Sequence, residues 1–457
     1  MSDPKLEKAP FISNQIPVKL NPSWESRLTQ ELHNKGSRVS NFFASLKPPK
    51  DKYKMVFFIF LLHGLGTLMP WNMFITAKDY FVEFKLDSNT TTASAGSSYA
   101  GNFLQYIGFA SQIPNLLLNW FNIFVNLGGD LTKRIVYSIL IEIVIFVITI
   151  VLAMLDSSEW PGIFFWITMI CVVILNMANG IYQNTIYGMA ASLPVKYTGA
   201  VVLGSNISGL FATVISIASR YLFDSKRTAA IYYFLTAMLI LLVCFDTYFA
   251  LPLNKFFRHY EMLSQNDESK KESSSNVKPP YWQIIKEAFP QLLNIFLIFF
   301  VTLSVFPAVH SDIKRSTAEF PISDEYFTLI TCFLTFNLFA MLGSLTTSWV
   351  QWPKPKYLVV PVVLRIAFIP LFLFCNYLPK AVIRTLPVYI TSDWIYWIIG
   401  ISMSFTSGYL SSLGMMYAPK NVNPKYQVTA GMFASAMLIT GIFAGVMFGF
   451  VCPLLVQ

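Results

Sequence analysis

Amide side chains recur at helical spacing inside two long apolar runs of this 457-residue sequence. Residues spaced i, i+3, i+4 and i+7 share one face of a helix, so each run would present a face of amides. An amide both donates and accepts hydrogen bonds and carries no charge, which suits contact with a neutral, hydrogen-bonding solute. The two faces are formed by Gln112, Asn115 and Asn119, and by Asn176, Asn179 and Gln183.

The same amides have a second explanation, because polar side chains within a membrane also hydrogen-bond between helices and hold a bundle together. For a single asparagine this explanation is the simpler one. A third apolar run carries Asn337 and Ser344 at positions i and i+7. Amide-bearing faces on several different runs therefore favour a polar pathway through the bundle.

Titratable groups within the apolar runs are few. Glu142 and Asp246 are each compatible with pairing to a basic group or with binding a coupling proton. His63 is compatible with a proton switch or with a packed, hydrogen-bonded histidine. Arg365 is expected to extend its long side chain to the membrane interface. The four histidines are dispersed, and the sequence shows neither metal-ligand spacing nor a nucleophile–base set. It therefore predicts no enzyme, no metal and no cofactor.

The composition is that of a membrane protein. Hydrophobic residues make up 54% of the chain and charged residues only 12%, against about 25% charged residues in soluble domains. The net charge of +9 does not indicate nucleic acid as a partner, because the basic residues are scattered among apolar segments. Eleven segments are long enough to cross a lipid bilayer as helices. They lie at 55–76, 100–126, 135–155, 162–190, 198–219, 229–252, 286–309, 326–350, 358–377, 393–416 and 427–453.

These segments predict an all-α polytopic membrane protein with 11 transmembrane helices. Residues 1–54 would form a largely disordered tail and 55–252 an N-terminal bundle of six spans. A polar linker, 253–285, would then lead to a C-terminal bundle of five spans, 286–457.

The distribution of Lys and Arg predicts how the chain is oriented. These residues are more frequent in the tail, the linker and the loops on the same side than in the loops on the opposite side. Basic residues mark cytoplasmic loops, so the N-terminus would be cytoplasmic and, with eleven spans, the C-terminus extracellular. The acceptor sequence Asn89-Thr90-Thr91 falls in the first external loop, where Asn89 would be glycosylated.

The first apolar run, Met55–Ala77, contains residues that a simple membrane anchor does not need. Gly64 and Gly66 would let a neighbouring helix approach closely. Pro70 removes a backbone donor and bends the helix directly before Trp71. The run is therefore expected to line a path for a solute.

Part of this run, Gly64-Leu65-Gly66-Thr67-Leu68-Met69-Pro70-Trp71-Asn72, resembles the first-span signature of the equilibrative nucleoside transporters. The resemblance covers nearly the whole chain. It extends to Phe306-Pro307-Ala308-Val309, Phe333-Leu334-Thr335-Phe336-Asn337, Pro370-Leu371-Phe372, Gly408-Tyr409-Leu410 and Thr429-Ala430-Gly431.

This resemblance implies facilitated diffusion of nucleosides, and of nucleobases as a further solute class, by alternating access. The implied fold is a shortened, major-facilitator-like one with six and five spans around a central cavity. By motif position, Leu68 and Trp71 would frame the base and Gln183 would hydrogen-bond it. Pro70 and Pro307 would permit bending. The further positions implied to face the solute are Gln112, Asn115, Phe333, Asn337 and Ile442.

Four positions depart from the family pattern. Ala340 and Ser344 stand where the family has an Asp–Arg pair, Val428 replaces a glutamate and Ser407 an asparagine. Because these groups are the family's ribose-directed ones, ribose hydroxyls are expected to contribute less to binding here. Purine and pyrimidine preference is left open.

The sequence leaves three functional readings, of which a passive nucleoside carrier at the plasma membrane is the first. A proton-coupled carrier using Glu142 or Asp246 is an alternative within transport. A receptor or scaffold that has lost transport is an alternative outside it, to which the missing charge pair points.

Overall fold

The computed structural model describes residues 49–77, 80–81, 103–125, 131–157, 159–223, 225–272, 279–317, 319–379 and 383–457. Within these residues the secondary structure is helical apart from one isolated β-bridge between Ile313 and Tyr377. The predicted glycosylation site, Asn89, and nearly all of the predicted tail lie outside the described residues.

Long helices follow one another along the described chain. Two of them are composite: α9 (324–346) contains a π-helical turn at Leu329–Leu334, and α10 (359–374) a 3-10 turn at Arg365–Ala367. The remaining helices are α1 (Met55–Thr76), α2 (Phe103–Phe124), α3 (Leu131–Met154), α4 (Pro161–Ala191), α5 (Lys196–Leu222), α6 (Lys226–Ala250), α7 (Lys255–Glu272), α8 (Tyr281–Val305), α11 (Asp393–Lys420) and α12 (Gln427–Gly449).

Eight of the described helices are long and apolar enough to cross a membrane, namely α1, α3, α4, α5, α6, α8, α10 and α12 with their flanking turns. A shorter apolar helix, Ile330–Thr346, lies within α9. α2, with five amide side chains, and α11, with several hydroxyl side chains, are not among these eight. The all-α class is therefore confirmed, and the count of eleven spans stays a prediction.

Part of the predicted linker is helical. α7 occupies Lys255–Glu272, and α8 begins at Tyr281 rather than at the predicted 286. Although α7 is polar overall, Phe256 and Phe257 in its first turn are buried. The Phe256 ring lies 5.1 Å from that of Tyr197 on α5, which fixes the start of α7 against the bundle.

Two glycine crossings bring helices into backbone contact. A Cβ added at Gly64 on α1 would collide with the Val201 carbonyl on α5, and one added at Gly204 with the Leu61 carbonyl on α1. The close approach expected at Gly64 is thus present. α9 and α11 cross in the same way, because a Cβ at Gly343 would meet the backbone of Phe405.

The first six helices contact α9, α11 and α12 along two seams. α12 packs against α2 and α4, and α5 packs against α9 and α11. Any solute path between the two groups of helices must pass between these seams.

We expect Gly204→Ala to destabilise the protein, since the added methyl group meets backbone atoms of α1 that cannot move aside. Overpacking of this kind costs about 1–3 kcal/mol. The matched control is Gly108→Ala on α2, where the added Cβ meets nothing within 4 Å. The measurement is the thermal unfolding midpoint of the purified protein. Equal midpoints for the two variants would contradict the crossing.

Candidate solute-binding site

The C-terminal half of α4 forms the most deeply buried polar surface among the described helices. α4 contacts α1, α2, α3 and α12, so its side chains are enclosed from several directions. Asn179, Gln183 and Asn184 each have none of their surface exposed. Amides enclosed in this way need hydrogen-bonding partners.

On α2 and α4, three buried amides have groups without such partners. Neither the oxygen nor the nitrogen of the Asn179 or Gln183 side chain has a hydrogen-bond partner among the described residues, and the same holds for Oε1 of Gln112 on α2. We call these three residues the open amides. Leaving a buried polar group unsatisfied costs about 1–3 kcal/mol. A hydrogen-bonding solute would relieve that cost.

A second set of amides is fully paired and joins three helices. Nδ2 of Asn184 on α4 donates to Oδ1 of Asn119 on α2 at 2.9 Å and to the Met432 carbonyl on α12 at 2.9 Å. Nδ2 of Asn122 donates to Oδ1 of Asn184 at 2.9 Å. We call this set the seam network. These amides hydrogen-bond between helices and hold the bundle together, which is the second explanation given above for amides in apolar runs.

Asn115 belongs with the paired amides. Its Oδ1 accepts from Nδ2 of Asn119 at 3.4 Å, and a Cβ added at Gly180 on α4 would lie 3.2 Å from that same oxygen. The predicted site residues Gln112 and Gln183 therefore have buried groups without partners among the described helices, while Asn115 has its side-chain oxygen paired and stays a predicted contact of the solute. Asn179 was not among the implied site positions, although its spacing from Gln183 was the signal that could have added it.

Two predicted residues lie on α1. Leu68 and Trp71 are half-buried, and Trp71 packs against the main hydrophobic core. Pro70 is buried within α1, which is continuous from Met55 to Thr76. The neighbouring Asn72 donates through Nδ2 to Oγ of Ser208 on α5 at 2.6 Å.

The predicted aromatic residue Phe333 lies in a ring cluster. The ring of Phe306, just beyond the end of α8, stacks on that of Phe336 at 3.7 Å and meets that of Phe333 edge-on at 5.9 Å. Pro307 separates α8 from the short helix Ala308–Ser311. Ile442 is half-buried on α12.

Asn337 lies at the crossing of α5 and α9. A Cβ added at Gly209 on α5 would collide with its side-chain oxygen, and its Nδ2 donates to the Phe333 carbonyl at 3.1 Å. At the same crossing, Asn206 on α5 lies one turn before Gly209 and Ser344 on α9 lies two turns after Asn337. Nδ2 of Asn206 donates to Oγ of Ser344 at 2.5 Å. Asn337 and Ser344 thus both meet α5.

The positions of the missing charge pair are occupied by small, packed residues. Ala340 is buried, and its carbonyl lies where a Cβ at Gly408 would be. Ser344 accepts a hydrogen bond from Ser412 at 3.0 Å as well as from Asn206. Neither position presents a charge to a solute.

The expectation that Arg365 reaches the membrane interface is wrong. Its side chain is buried because the 3-10 turn of α10 directs it towards α8 and α11. Its guanidinium donates to the Met403 carbonyl at 2.9 Å, to Oγ1 of Thr302 at 2.7 Å and to Oγ1 of Thr406. A cation is thereby held by neutral oxygens inside the bundle.

The sequence is similar to those of known nucleoside transporters. The model of the nucleoside transporter family matches residues 169–454. The human equilibrative nucleoside transporter 1 is 31% identical over 449 residues, covering 88% of this chain and 97% of the relative. The human equilibrative nucleoside transporter 2 is 30% identical over 450 residues, with 88% and 97% covered.

Among solved structures, the proton:xylose symporter XylE of the major facilitator superfamily superposes with a TM-score of 0.58. It shares 12% sequence identity, and 88% of each chain is covered. At this identity the likeness concerns the fold alone, which is that of a major-facilitator-like helical membrane protein. With the matches above, it follows that the chain belongs to the nucleoside transporter family, as the sequence motifs predicted.

Proposed function

We propose that the protein carries nucleosides passively across a membrane, with nucleobases as a second solute class. The observation that carries this proposal is the set of open amides, which are buried, uncharged and able to donate and accept. The edge of a nucleobase presents the complementary donors and acceptors. Membership of the nucleoside transporter family favours this function over a proton-coupled carrier or a receptor that has lost transport.

The proposed membrane arrangement has eleven spans. α1–α6 would form the N-terminal bundle, α8–α12 the C-terminal bundle, and α7 would lie in the cytoplasmic linker between them. The N-terminus would then be cytoplasmic, the C-terminus extracellular and the cell surface the site of action. The Lys and Arg distribution of the sequence supports this orientation.

In the proposed site, Gln183 and Asn179 hydrogen-bond the base from α4 and Gln112 does so from α2. Leu68 and Trp71 flank the solute from α1. On the other side, Phe333 and Ile442 would supply aromatic and apolar surface and Asn337 a further amide. This division fits a solute whose flat, aromatic base needs apolar walls and whose edges need amides.

Transport would proceed by rocking of the two bundles about this site. The seam network ties α2 and α4 to α12, while Asn206 and Ser344 tie α5 to α9. The hydrogen bonds across each seam are few and neutral, and each contributes only about 0.5–1.5 kcal/mol. Such contacts can open and close without large barriers. Pro70 and Pro307 are the proposed bending points.

We expect Gln183→Ala to weaken uptake because the base loses a hydrogen bond that no other residue replaces. One neutral bond corresponds to a few-fold to about tenfold loss of apparent affinity. The measurement is uptake of radiolabelled adenosine, uridine and hypoxanthine in cells that lack their own carriers. The matched control is Gln283→Ala, since Gln283 is exposed on α8. Unchanged uptake by Gln183→Ala at equal surface protein would remove Gln183 from the site.

We also expect 2′- and 3′-deoxynucleosides to compete nearly as well as their parent nucleosides. Ala340 and Ser344 offer no charge to the ribose, so its hydroxyls would contribute less than about 1 kcal/mol each. Inhibition constants in a competition assay measure this directly. A loss of tenfold or more in affinity on removal of one hydroxyl would show that other groups bind the ribose strongly.

A further inference from the structure

A cluster of titratable side chains lies inside the first six helices and has no part in the proposed solute site. Its members come from four helices and are all fully buried. They are His63 on α1, Glu142 on α3, Tyr182 on α4 and Cys244 on α6. Tyr182 directly precedes Gln183, so the cluster adjoins the helix segment that carries two of the open amides.

Direct contacts connect α1, α4 and α6 within this cluster. Nδ1 of His63 and the Tyr182 hydroxyl are 2.6 Å apart. A Cβ added at Gly66 would lie 3.2 Å from that hydroxyl and 2.9 Å from Sγ of Cys244, so both groups meet α1 at the same point. Sγ of Cys244 donates to the Leu62 carbonyl at 3.4 Å.

α3 contributes a carboxyl group to this cluster. α3 packs against α4 and α6, the helices that carry Tyr182 and Cys244. Further along α3, Thr132 hydrogen-bonds to the Tyr248 hydroxyl at 3.0 Å, and the Tyr248 ring lies 5.9 Å from that of His63. The neighbouring helices α1, α4 and α6 thus bring a histidine, two tyrosines and a thiol to this cluster.

Glu142 itself has no hydrogen-bond or ion-pair partner among the described residues, although none of its surface is exposed. Nε2 of His63 is likewise without a partner. An ionised carboxylate enclosed without donors or a cation is far more costly than the neutral acid. The other carboxylate of the apolar runs, Asp246, is exposed on α6 and is not enclosed by neighbouring helices.

We propose that Glu142 is a proton-binding site within the carrier, and that its neutral form stabilises the packing of α3 against α1, α4 and α6. Loss of the proton would leave a negative charge enclosed between four helices. To solvate that charge, water would have to enter or the helices would have to rearrange. The protonation of one carboxyl group would therefore control the conformation of the helices that carry the open amides. The proton would remain with the protein and would not be carried with the solute, in keeping with passive transport.

The test compares the wild type with Glu142→Gln, which keeps the size of the side chain and is permanently neutral. Glu142→Asp retains a titrating group, and Glu159→Gln removes an exposed glutamate from the loop before α4 as a matched control. The first measurement is the thermal unfolding midpoint of the full-length, purified protein as the pH rises from about 5.5 to about 8.5.

We expect the wild-type midpoint to fall with rising pH, because unfolding lets Glu142 release its proton. One released proton changes the unfolding equilibrium by at most about tenfold per pH unit. Glu142→Gln would lack this part of the slope, while Glu142→Asp and Glu159→Gln would keep it. Equal slopes for wild type and Glu142→Gln would overturn the proposal.

The second measurement is nucleoside uptake at equal pH on both sides of the membrane, and this arm depends on the proposed function. We expect Glu142→Gln to show at every pH the rate that the wild type approaches at low pH. A wild-type rate independent of pH, or a pH profile that Glu142→Gln leaves unchanged, would overturn control of transport by Glu142.

An infrared measurement on the wild type covers the case in which Glu142→Gln does not fold. We expect a carbonyl band of a protonated carboxylic acid to persist in the purified protein at neutral pH, and absence of that band would overturn the proposal. Uptake that is absent in every variant, with unfolding slopes that differ as expected, would refute the proposed transport function. It would leave the proton-binding site at Glu142 supported.

Discussion

Polar groups enclosed in an apolar helical bundle must find their partners inside the protein, and this constraint organises the structure. The amides of α2 and α4 divide accordingly. Asn119, Asn122 and Asn184 satisfy one another and reach α12, whereas the open amides leave groups without partners. The first set stabilises the contact between the two groups of helices, and the second remains available to a solute.

Sequence patterns were sufficient for the helical class and for the elements that depend on local composition. α1, α4 and α12 lie close to the predicted runs, since length and hydropathy define such helices. α7 was not predicted, because its sequence is polar and its fixed position depends on Phe256 and Phe257 packing against another helix. The π-helical turn in α9 left no signal in composition either.

For the candidate site, residue spacing identified which amides share a helix face, but not which hydrogen-bond partners each side chain has. Asn115 and Gln112 share a face, yet the side-chain oxygen of Asn115 accepts a bond from Asn119 one turn along α2, whereas that of Gln112 has no partner within the described part of the chain. Arg365 was misplaced for the same reason: hydroxyl and carbonyl partners on α8 and α11 are remote in sequence. The family motifs supplied Leu68 and Trp71, which periodicity alone would not distinguish from core residues.

A density map of the protein with adenosine bound would test the role of the open amides most directly. We expect the base to lie within hydrogen-bonding distance, about 2.7–3.2 Å, of the Gln183 and Asn179 side chains, while the seam network keeps or exchanges its own bonds. Adenosine bound elsewhere in the bundle, with Gln183 and Asn179 bonded to protein groups instead, would contradict this assignment.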